Sequence, residues 1–504
     1  MTTDGPSTAF RAAYEAGKGA LVWRESPADL ETPVGAFLKI AHGQPYSFLL
    51  ESVEGGASRG RYSVIGLAPD LIWRCEKGAA AINRSALTAP DAFAPEAAPA
   101  LDSLAALLAE SRLDQPANLP PMAGGLFGYL GYDMVRLMER LPEKNEDVLG
   151  LPEAILIRPT VFVIFDNVRD VLTLAAPAYP HAGLSVEAAH AEANARLNAI
   201  EAGLLRPLPV AAAPVAPFTL GEPRSNMTKA YFEDMVVKMK EYITAGDAFQ
   251  VVPSQRFSVD FPLPPFALYR ALRRINPAPF LFFLDFGTFS VAGSSPEILV
   301  RLRDGMVTIR PLAGTRPRNA DPIEDKRLEE ELLADPKERA EHLMLLDLGR
   351  NDVGRVAELG SVKVVESFVI ERFSHVMHIS SMVQGKLKKG LSALDALKGG
   401  FPAGTLSGAP KVRAMEIIEE LEPVRRGIYG GCIGYFAPDG TMDTCIGLRT
   451  AVVKDGVMYV QAGGGVVADS VPELEYEESR HKARALFRAA EEAVRFATAP
   501  KSGA

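Results

Sequence analysis

The sequence predicts a large α+β protein, because its strand-like segments come in runs and its helices interrupt them without a regular βαβ alternation. The chain has 504 residues, of which 47% are hydrophobic and 23% charged, so a sizeable globular core is available. A segment rich in proline and alanine at 206–224 is typical of a linker. We therefore expect an N-terminal region over 1–205 and a C-terminal domain over 225–496.

The N-terminal region mixes short strands with amphipathic helices. Aromatic and β-branched runs predict strands at 46–52, 61–68 and 160–166, and apolar spacing predicts helices at 101–113 and 184–205. The C-terminal domain begins with a helix that Thr228 caps and that Gly246 ends. Strands at 249–261, 279–287, 289–294 and 306–314 follow, and later helices are predicted around 335–350 and 472–496.

Charge and cysteine content exclude several classes of protein. The formal net charge of −9 favours neither nucleic acid nor an acidic membrane surface as a partner. The N-terminus shows no signal peptide, and the most apolar stretch, 279–289, is too short to span a membrane. Three cysteines, Cys75, Cys432 and Cys445, give no disulfide framework. We expect a cytoplasmic protein.

Two Glu-x-x-Glu pairs are candidates for binding a metal ion. Glu338 and Glu341 form one pair, and Glu475 and Glu478 form the other. A spacing of three places both carboxylates of a pair on one helix face, where they suit Mg²⁺ together with waters and an anionic group. Solvated acidic helix faces explain the same spacing, and by itself the pattern favours that simpler interpretation.

Glycine-rich turns beside predicted strands are candidates for binding an anion. They lie at 313–319, 404–411 and 461–470, where backbone N–H groups can cradle a carboxylate or phosphate, although ordinary tight turns look the same. Cys432 in GGCIG matches the G-x-C-x-G pattern of glutamine amidotransferases but lacks a suitable histidine, so we expect a core residue and no release of ammonia from glutamine. His378, alone in an apolar segment, would by itself be structural.

The order of the blocks adds what their spacing leaves open. GDAFQVVPSQRFS, SSPEILV, IRPLAGTRPR, ERAEHLMLLDLGRNDVGRV, SHVMHISS, GTLSGAPKVRAMEII, YGGCIGYF, DTCIGLRTAV and VQAGGGVVADSVPELEYEESRHKARA follow one another between 225 and 490. This region closely resembles the chorismate-utilising enzymes, and within them the anthranilate synthase component I family. FLLES and GRYSVIGLAP resemble the same family more weakly. The resemblance implies a large two-sheet chorismate-binding fold with an N-terminal α+β regulatory part packed onto it.

The resemblance implies a reaction in which chorismate gains ammonia at C2, loses its C4 hydroxyl and then eliminates pyruvate. Glu341 and Glu478 match ligands of Mg²⁺, supported by Glu338 and Glu475. Glu297 matches the acid that protonates the departing hydroxyl, which requires a raised pKa. His378 matches a histidine near C2, and Thr405 matches a hydroxyl donor in the same pocket.

Other matches of the resemblance imply substrate-binding residues. Gly314 and Thr315 match a turn that holds the substrate. Tyr429 and Arg449 match groups that bind the enolpyruvyl carboxylate, for which an arginine fork is well suited. A backbone cradle and an added positive charge complete the implied set: Gly463, Gly464, Gly465 and Lys482.

Two positions separate related activities within the family. Isochorismate and salicylate synthases carry a water-activating lysine where this chain has Gln250, which favours ammonia as the nucleophile. Aminodeoxychorismate synthases typically carry a lysine where this chain has Ala313, which favours anthranilate. The alternatives are an aminodeoxychorismate synthase component I and, in another class, a catalytically silent tryptophan-binding subunit.

The resemblance also implies regulation and partners. Glu51 and Ser52 match a tryptophan-binding element, and Pro279, Phe280 and Leu281 match its partner across the interface of the two regions. Plain core packing is the simpler interpretation of the same residues. The family commonly has tyrosine and methionine where this chain has Phe280 and Leu281. A glutamine amidotransferase subunit, component II, is expected to supply ammonia, in an assembly of two large and two small subunits.

Overall fold

The computed structural model describes residues 5–54, 58–116, 118–181, 183–209, 218–373 and 375–498. Helices and strands contribute in similar measure, so the predicted mixed α+β class is confirmed. Within these ranges, no helix combines the length and the apolar character that crossing a membrane would require.

The helices are distributed along the whole chain, with the longest at the C-terminus. In chain order they are α1 (Thr8–Glu15), α2 (Pro33–Ile40), α3 (Ala100–Glu110), α4 (Val186–Leu204), α5 (Lys229–Thr244), α6 (Pro265–Ile275), α7 (Pro322–Ala334), α8 (Pro336–Val356), α9 (Ala393–Gly400), α10 (Gly404–Ser407), α11 (Lys411–Leu421) and α12 (Pro472–Thr498). A 3₁₀ helix covers Tyr132–Leu137.

The strands vary in length, and the two longest are β3 and β7. In chain order they are β1 (Ala20–Pro27), β2 (Ser47–Glu54), β3 (Ser58–Glu76), β4 (Ala79–Asn83), β5 (Ala94–Pro95), β6 (Leu126–Leu130), β7 (Ala154–Asp166), β8 (Val171–Ala178), β9 (Arg224–Ser225), β10 (Gln250–Val251), β11 (Ser254–Asp260), β12 (Phe280–Asp285), β13 (Phe289–Ser295), β14 (Ile298–Arg303), β15 (Met306–Ile309), β16 (Leu312–Pro317), β17 (Lys363–Arg372), β18 (Val376–Lys386), β19 (Gly408–Ala409), β20 (Cys432–Phe436), β21 (Met442–Ile446), β22 (Thr450–Lys454) and β23 (Val457–Gly463).

Local signals predicted several of these elements closely. The side chain of Thr228 accepts a hydrogen bond from the backbone N–H of Tyr231 and caps α5, and Gly246 follows that helix with φ +88°. The helix predicted at 184–205 is α4, and those predicted near 335–350 and 472–496 are α8 and α12. The strand predicted at 306–314 is interrupted, since it is divided between β15 and β16.

The two expected sheets are present, and the long strands β3 and β7 join them into one hydrogen-bonded network. The first sheet has the order β1-β8-β7-β3-β2-β12-β13-β22-β23-β11-β9. The second runs β5-β4-β3-β7-β6-β20-β21-β14-β15-β18-β17, and β16 pairs with β18 beyond the end of β15. The register of β3 against β7 shifts between Pro69 and Leu71, where β3 passes from one sheet to the other.

A hydrophobic core lies between the two sheets. Phe48 and Phe282 of the first sheet share it with Phe127, Tyr129 and Ile433 of the second. Helices α1, α2, α4, α6 and α12 cover the outer face of the first sheet, and α3, α8, α9 and α11 pack against the second. This arrangement buries both faces of the central strands, such as β6 and β7, which agrees with their apolar sequences.

Both sheets contain strands from both regions of the chain. In the first sheet, β2 pairs with β12, and in the second, β6 pairs with β20. The N-terminal region therefore continues the sheets of the C-terminal region instead of standing as a free module.

Candidate functional site

A cavity of about 660 Å³ opens between the second sheet and the helices α8 and α12. It is lined by almost every catalytic, substrate-binding and metal-binding residue predicted from the sequence: Gln250, Glu297, Gly314, Thr315, Glu338, Glu341, His378, Thr405, Tyr429, Arg449, Gly463, Gly465, Glu475, Glu478 and Lys482. Gly464 lies between two of these residues in the chain. The volume is ordinary for a small-molecule site.

Glu297 is a buried carboxyl group in the link between β13 and β14. Its side chain is 8% exposed, and the hydroxyl of Thr405 donates to both of its carboxylate oxygens at 3.3 Å. Burial raises the pKa of Glu297 to about 8, although the backbone N–H of Leu312, the Thr405 hydroxyl and Arg449 favour the charged form. Glu297 is therefore a protonated acid at neutral pH, as its predicted role requires.

His378 lies on β18 opposite Thr315, with its ring held from one side. Its Nδ1 is 2.8 Å from the carbonyl oxygen of Gly314 and 3.1 Å from Oγ1 of Thr315. A carbonyl oxygen only accepts, so Nδ1 carries the proton and Nε2 is left as the acceptor of the neutral ring. Burial and the positive charge of Arg449 lower the pKa of His378 to about 4, so the ring stays neutral at pH 7.

Arg449 and Tyr429 give the cavity an electropositive, hydrogen-bonding wall. Among the described residues, none accepts a hydrogen bond from the Arg449 guanidinium, and burial lowers its pKa while Glu297 opposes that shift. The backbone of Arg449 has φ +49°, a left-handed conformation that a non-glycine residue adopts at some cost. A guanidinium that lines a cavity and has no hydrogen-bonded carboxylate among the described residues is suited to an anionic ligand.

The glycine cluster after β23 lies directly against the acidic side of the cavity. A Cβ on Gly464 would lie 3.0 Å from carboxylate oxygens of both Glu475 and Glu478, and one on Gly465 would lie 2.3 Å from Nε2 of Gln250. A Cβ on Gly463 would collide with the carbonyl oxygen of Pro253 at 1.9 Å. Glycine is therefore required here for the backbone to approach the polar groups.

The four glutamates lie on two helices that face the cavity, Glu338 and Glu341 on α8 and Glu475 and Glu478 on α12. Burial raises the pKa of Glu341, and the charges of Glu338 and Glu478 raise it further. Burial also raises the pKa of Glu475, whose Oε2 is buried with no hydrogen-bond partner among the described residues. Mutual repulsion and an unpartnered carboxylate oxygen are what a bound cation would relieve.

Neighbouring side chains already engage three of these glutamates. Gln250 donates to Glu341 at 3.1 Å, Arg316 donates to Glu338 at 3.2 Å, and Lys482 lies 2.7 Å from Glu478. In the part of the chain that the structure describes, no three His, Cys, Asp or Glu side chains converge closely enough to enclose a metal ion. Mg²⁺ takes one or two protein carboxylates and completes its octahedron with water and substrate oxygens, so the glutamates that line the cavity fit this ion.

The two positions used to separate related activities both line the cavity. Gln250 is 2% exposed, and its Oε1 has no hydrogen-bond partner among the described residues. An amide cannot act as a base toward water, and Ala313 presents only a methyl group to the cavity.

Cys432 is a core residue, as the sequence analysis expected. It is 1% exposed on β20, and burial raises the pKa of its thiol to about 12. All three cysteines are free and buried. A thiol with so high a pKa is not a nucleophile at neutral pH.

Sequence reasoning missed several residues that line the same cavity. Lys337 and His481 stand beside predicted glutamate and lysine positions on α8 and α12, and Gln461 precedes the glycine cluster. Lys337 and His481 could have been predicted, because each is adjacent in sequence to a predicted site residue. Gln461 could be found only from the pairing of β23 with β11.

The residues predicted to bind tryptophan meet where β2 pairs with β12. Glu51 is directly opposite Leu281, and its buried carboxylate accepts hydrogen bonds from Tyr269 at 2.5 Å and from Arg273 at 2.6 Å. Ser52, Pro279 and Phe280 are half-buried around this pair. The structure thus brings the two predicted segments together on neighbouring strands, where the N-terminal and C-terminal regions meet.

The two-sheet fold and a cavity lined by a buried acid, an arginine and four glutamates are the features of an enzyme that acts on a small anionic substrate. Residues 53–488 match the family model described as chorismate binding enzyme. Anthranilate synthase component 1 of Cereibacter sphaeroides is 57% identical over 494 residues, 98% of this chain and 99% of the relative. The Pseudomonas putida protein of the same name is 50% identical over 92% of this chain and 94% of the relative.

Solved structures give the same result. The crystal structure of anthranilate synthase component I from Streptococcus pneumoniae is 35% identical and superimposes with a TM-score of 0.74 over 92% of this chain and 98% of that one. The chain therefore belongs to the chorismate binding enzymes, and within them to the anthranilate synthase component 1 family.

Proposed function

We propose that this chain converts chorismate and ammonia into anthranilate and pyruvate, the first committed step of tryptophan biosynthesis. The observation that carries the proposal is the cavity lined by a protonated Glu297, a neutral His378, the buried Arg449 and four glutamates. The component 1 relatives, at 47–57% identity, support the same reaction.

The acid–base steps follow from the protonation states. Glu297 donates its proton to the C4 hydroxyl, which leaves as water when ammonia adds at C2, and Thr405 orients the acid through its hydroxyl. His378, whose Nδ1–H is directed to Gly314, offers Nε2 to the proton that leaves C2 during pyruvate elimination. Gln250 supplies no base for water, so ammonia is the nucleophile.

Binding is assigned to the remaining predicted residues. Tyr429 and Arg449 hold the enolpyruvyl carboxylate. The remaining groups bind the substrate around its ring carboxylate, close to the metal-binding glutamates: Gly314, Thr315, Gly463, Gly464, Gly465 and Lys482. Mg²⁺ would be held by Glu341 and Glu478, with Glu338 and Glu475 in support. When bound, the ion neutralises the ring carboxylate and withdraws electron density from the ring.

Ammonia comes from a partner. The high thiol pKa of Cys432 supports a chain that does not hydrolyse glutamine, and the component 1 name of the relatives implies a component 2 that does. We propose a glutamine amidotransferase subunit in an assembly of two large and two small subunits, located in the cytoplasm. Residues 1–205 serve as the regulatory region, joined through 206–224 to the catalytic domain 225–496, and tryptophan inhibits by binding at Glu51, Ser52, Pro279, Phe280 and Leu281.

The experiment is an assay of the isolated chain with chorismate, Mg²⁺ and either ammonium or glutamine. We expect blue-fluorescent anthranilate with ammonium and little turnover with glutamine. A product that keeps its enolpyruvyl group would identify an aminodeoxychorismate synthase instead, and no turnover with either nitrogen source would favour a silent tryptophan-binding subunit.

A further inference from the structure

A second, much smaller cavity adjoins Glu297 and Thr405 and is distinct from the substrate cavity. Its volume is about 30 Å³, and Glu297, Thr405 and Leu345 line both cavities. A buried water needs roughly 10–15 Å³ of such volume and two to four polar partners. The small cavity therefore has room for a water with Glu297 and Thr405 as two of its partners.

Asp352 supplies a third polar group at this cavity, and the remaining lining is almost entirely apolar. Asp352 lies on α8, is 7% exposed, and forms an ion pair of 2.7 Å with Lys411 at the start of α11. Lys411 also donates to the carbonyl oxygen of Gly400 at 2.9 Å. A buried ion pair is seldom retained for stability, because desolvation offsets most of the attraction.

The pair is close to solvent on its far side. Arg355 follows Asp352 by one turn of α8, and its half-exposed guanidinium bonds Glu139 at 3.1 Å. Both of these groups influence the buried pair electrostatically: Arg355 acts on Asp352 and Lys411, and Glu139 acts on Lys411. These contacts outline a path from the surface groups through Lys411 and Asp352 to the small cavity that Glu297 lines.

The proposed reaction creates a need for such a path. Glu297 gives one proton to the departing hydroxyl in every turnover, which leaves a carboxylate and a molecule of water. The proton lost from the new ammonium group at C2 departs separately. Glu297 must regain a proton before the next turnover, and its front face stays covered until the product leaves.

We infer that Asp352 and Lys411 form a proton relay that reloads Glu297 through a water in the small cavity. In the relay, the water donates a proton to the Glu297 carboxylate and takes one from the Asp352–Lys411 pair, which regains it from solvent. Glu297 faces Glu371 and Arg449 as well, and neither lines the small cavity. This inference rests on the role proposed for Glu297 as the acid.

The test is a rapid-mixing measurement on Asp352→Asn with chorismate, ammonium and Mg²⁺. The first turnover uses the proton already on Glu297 and is expected to keep its wild-type rate. Later turnovers should slow by about tenfold, at the low end of what a positioned proton-transfer group supplies. The product trace then shows a burst of one equivalent per site, and the slow phase gains a larger solvent deuterium isotope effect.

Two results would overturn the relay: an unchanged steady rate, or a first turnover slowed as much as later ones, which a merely structural role predicts. Because Asp352→Asn leaves Lys411 unpaired and can fail to fold, Gly349→Ala is the second variant. Gly349 lines the small cavity, and its new Cβ would lie 3.6 Å or more from its nearest neighbours, an ordinary contact. It should displace the water and produce the same burst with the ion pair intact, whereas wild-type kinetics would refute the relay.

Asp347→Asn is the matched control, since Asp347 is on the same helix with its side chain 63% exposed beside Arg350. It should behave as wild type in both phases. The role of Glu297 is tested apart from the relay: if Glu297→Gln retained full first-turnover activity, the proposed acid would be wrong, whereas a failed Asp352→Asn test leaves that acid in place.

Discussion

Glu297 shows how one buried side chain determines the pH range of the proposed chemistry. Burial raises its pKa to about 8, and the hydroxyl of Thr405 donates to its carboxylate oxygens. The group is therefore an acid at neutral pH, while the nearby His378 is neutral for the same reason, desolvation of its charged form. One apolar environment prepares a proton donor and a proton acceptor together.

The substitution Glu297→Gln removes the donated proton and keeps the shape of the side chain. We expect kcat to fall by about 10²- to 10⁴-fold, the usual contribution of a general acid. In the wild type, kcat should fall as pH rises through about 8, where Glu297 loses its proton. Steady-state rates from pH 6 to 9.5 measure both effects, and a residual alkaline limb near pH 8 in the variant would contradict the assignment.

The same variant changes the pH dependence of stability in a defined direction. In the unfolded chain, Glu297 loses its proton near its ordinary value of 4.5, whereas the folded chain keeps it until about pH 8. Between these values the folded state binds more protons, so this group makes the free energy of unfolding decrease as pH rises. Glu297→Gln should flatten that decrease, as measured by denaturant unfolding at pH 5 and pH 8.

At this scale the sequence located the residues that the cavity contains but could not assign their protonation. Glu297 and His378 were found through the ordered blocks that surround them, since neither has a distinctive spacing of its own. The tautomer of His378 depends on a 2.8 Å contact with Gly314, which only the pairing of β16 with β18 produces. Asp352 and Lys411 stood within the same blocks, yet nothing in the sequence brings them together.

Helices α8 and α12 carry the acidic side of the site because each has glutamates spaced by three. The same spacing occurs on ordinary solvated helices, and only the packing of the two helices around one cavity distinguishes the cases. Local signals such as the Thr228 cap act within one turn and were therefore readable. More than 100 residues of chain separate α8 from α12, so their packing around one cavity could not be predicted from local signals.

We expect Glu478→Gln to abolish most Mg²⁺-dependent turnover by weakening binding of the ion. Loss of one carboxylate should raise the Mg²⁺ concentration needed for half-maximal rate by about two orders of magnitude. Titration calorimetry with Mg²⁺ alone and rates at a series of Mg²⁺ concentrations measure the change. An unaltered Mg²⁺ dependence would refute this glutamate as a ligand.

Glu477→Gln is the matched control for that variant. Glu477 is the preceding residue of α12, and its carboxylate bonds Arg480 on the outer surface. This substitution removes the same charge from the neighbouring position of the helix, at a residue that does not line the cavity. The Mg²⁺ dependence of this variant should equal that of the wild type, so a shared defect would indicate a general charge effect.

In the whole molecule, the two regions share both sheets and the core between them. Strands β2 and β6 of the N-terminal region continue the ladders of β12 and β20. The sequence indicated two parts and a proline-rich join, but it could not show that β3 and β7 each belong to two sheets. Pairing between strands more than 200 residues apart is set by packing of the whole chain and not by local propensity.

This shared architecture connects the proposed tryptophan site to the substrate cavity. Leu281 of β12 is opposite Glu51, and β12 pairs with β13, whose last residue, Ser295, lies two positions before Glu297. A shift of β2 against β12 would therefore reach the acid through one strand. Coupling of this kind is reciprocal, since each ligand changes the affinity for the other by the same factor.

We predict that tryptophan weakens chorismate binding and that chorismate weakens tryptophan binding by an equal factor, between about 5- and 150-fold. Calorimetry without ammonia, so that no turnover occurs, gives both affinities with and without the second ligand.

Glu51→Gln should weaken tryptophan binding by about tenfold, because the carboxylate that Tyr269 and Arg273 hold in place is lost, while chorismate affinity without tryptophan stays the same. A chorismate affinity that tryptophan leaves unchanged would show that the two sites are not coupled, and a Glu51→Gln variant with full tryptophan affinity would place the inhibitor elsewhere.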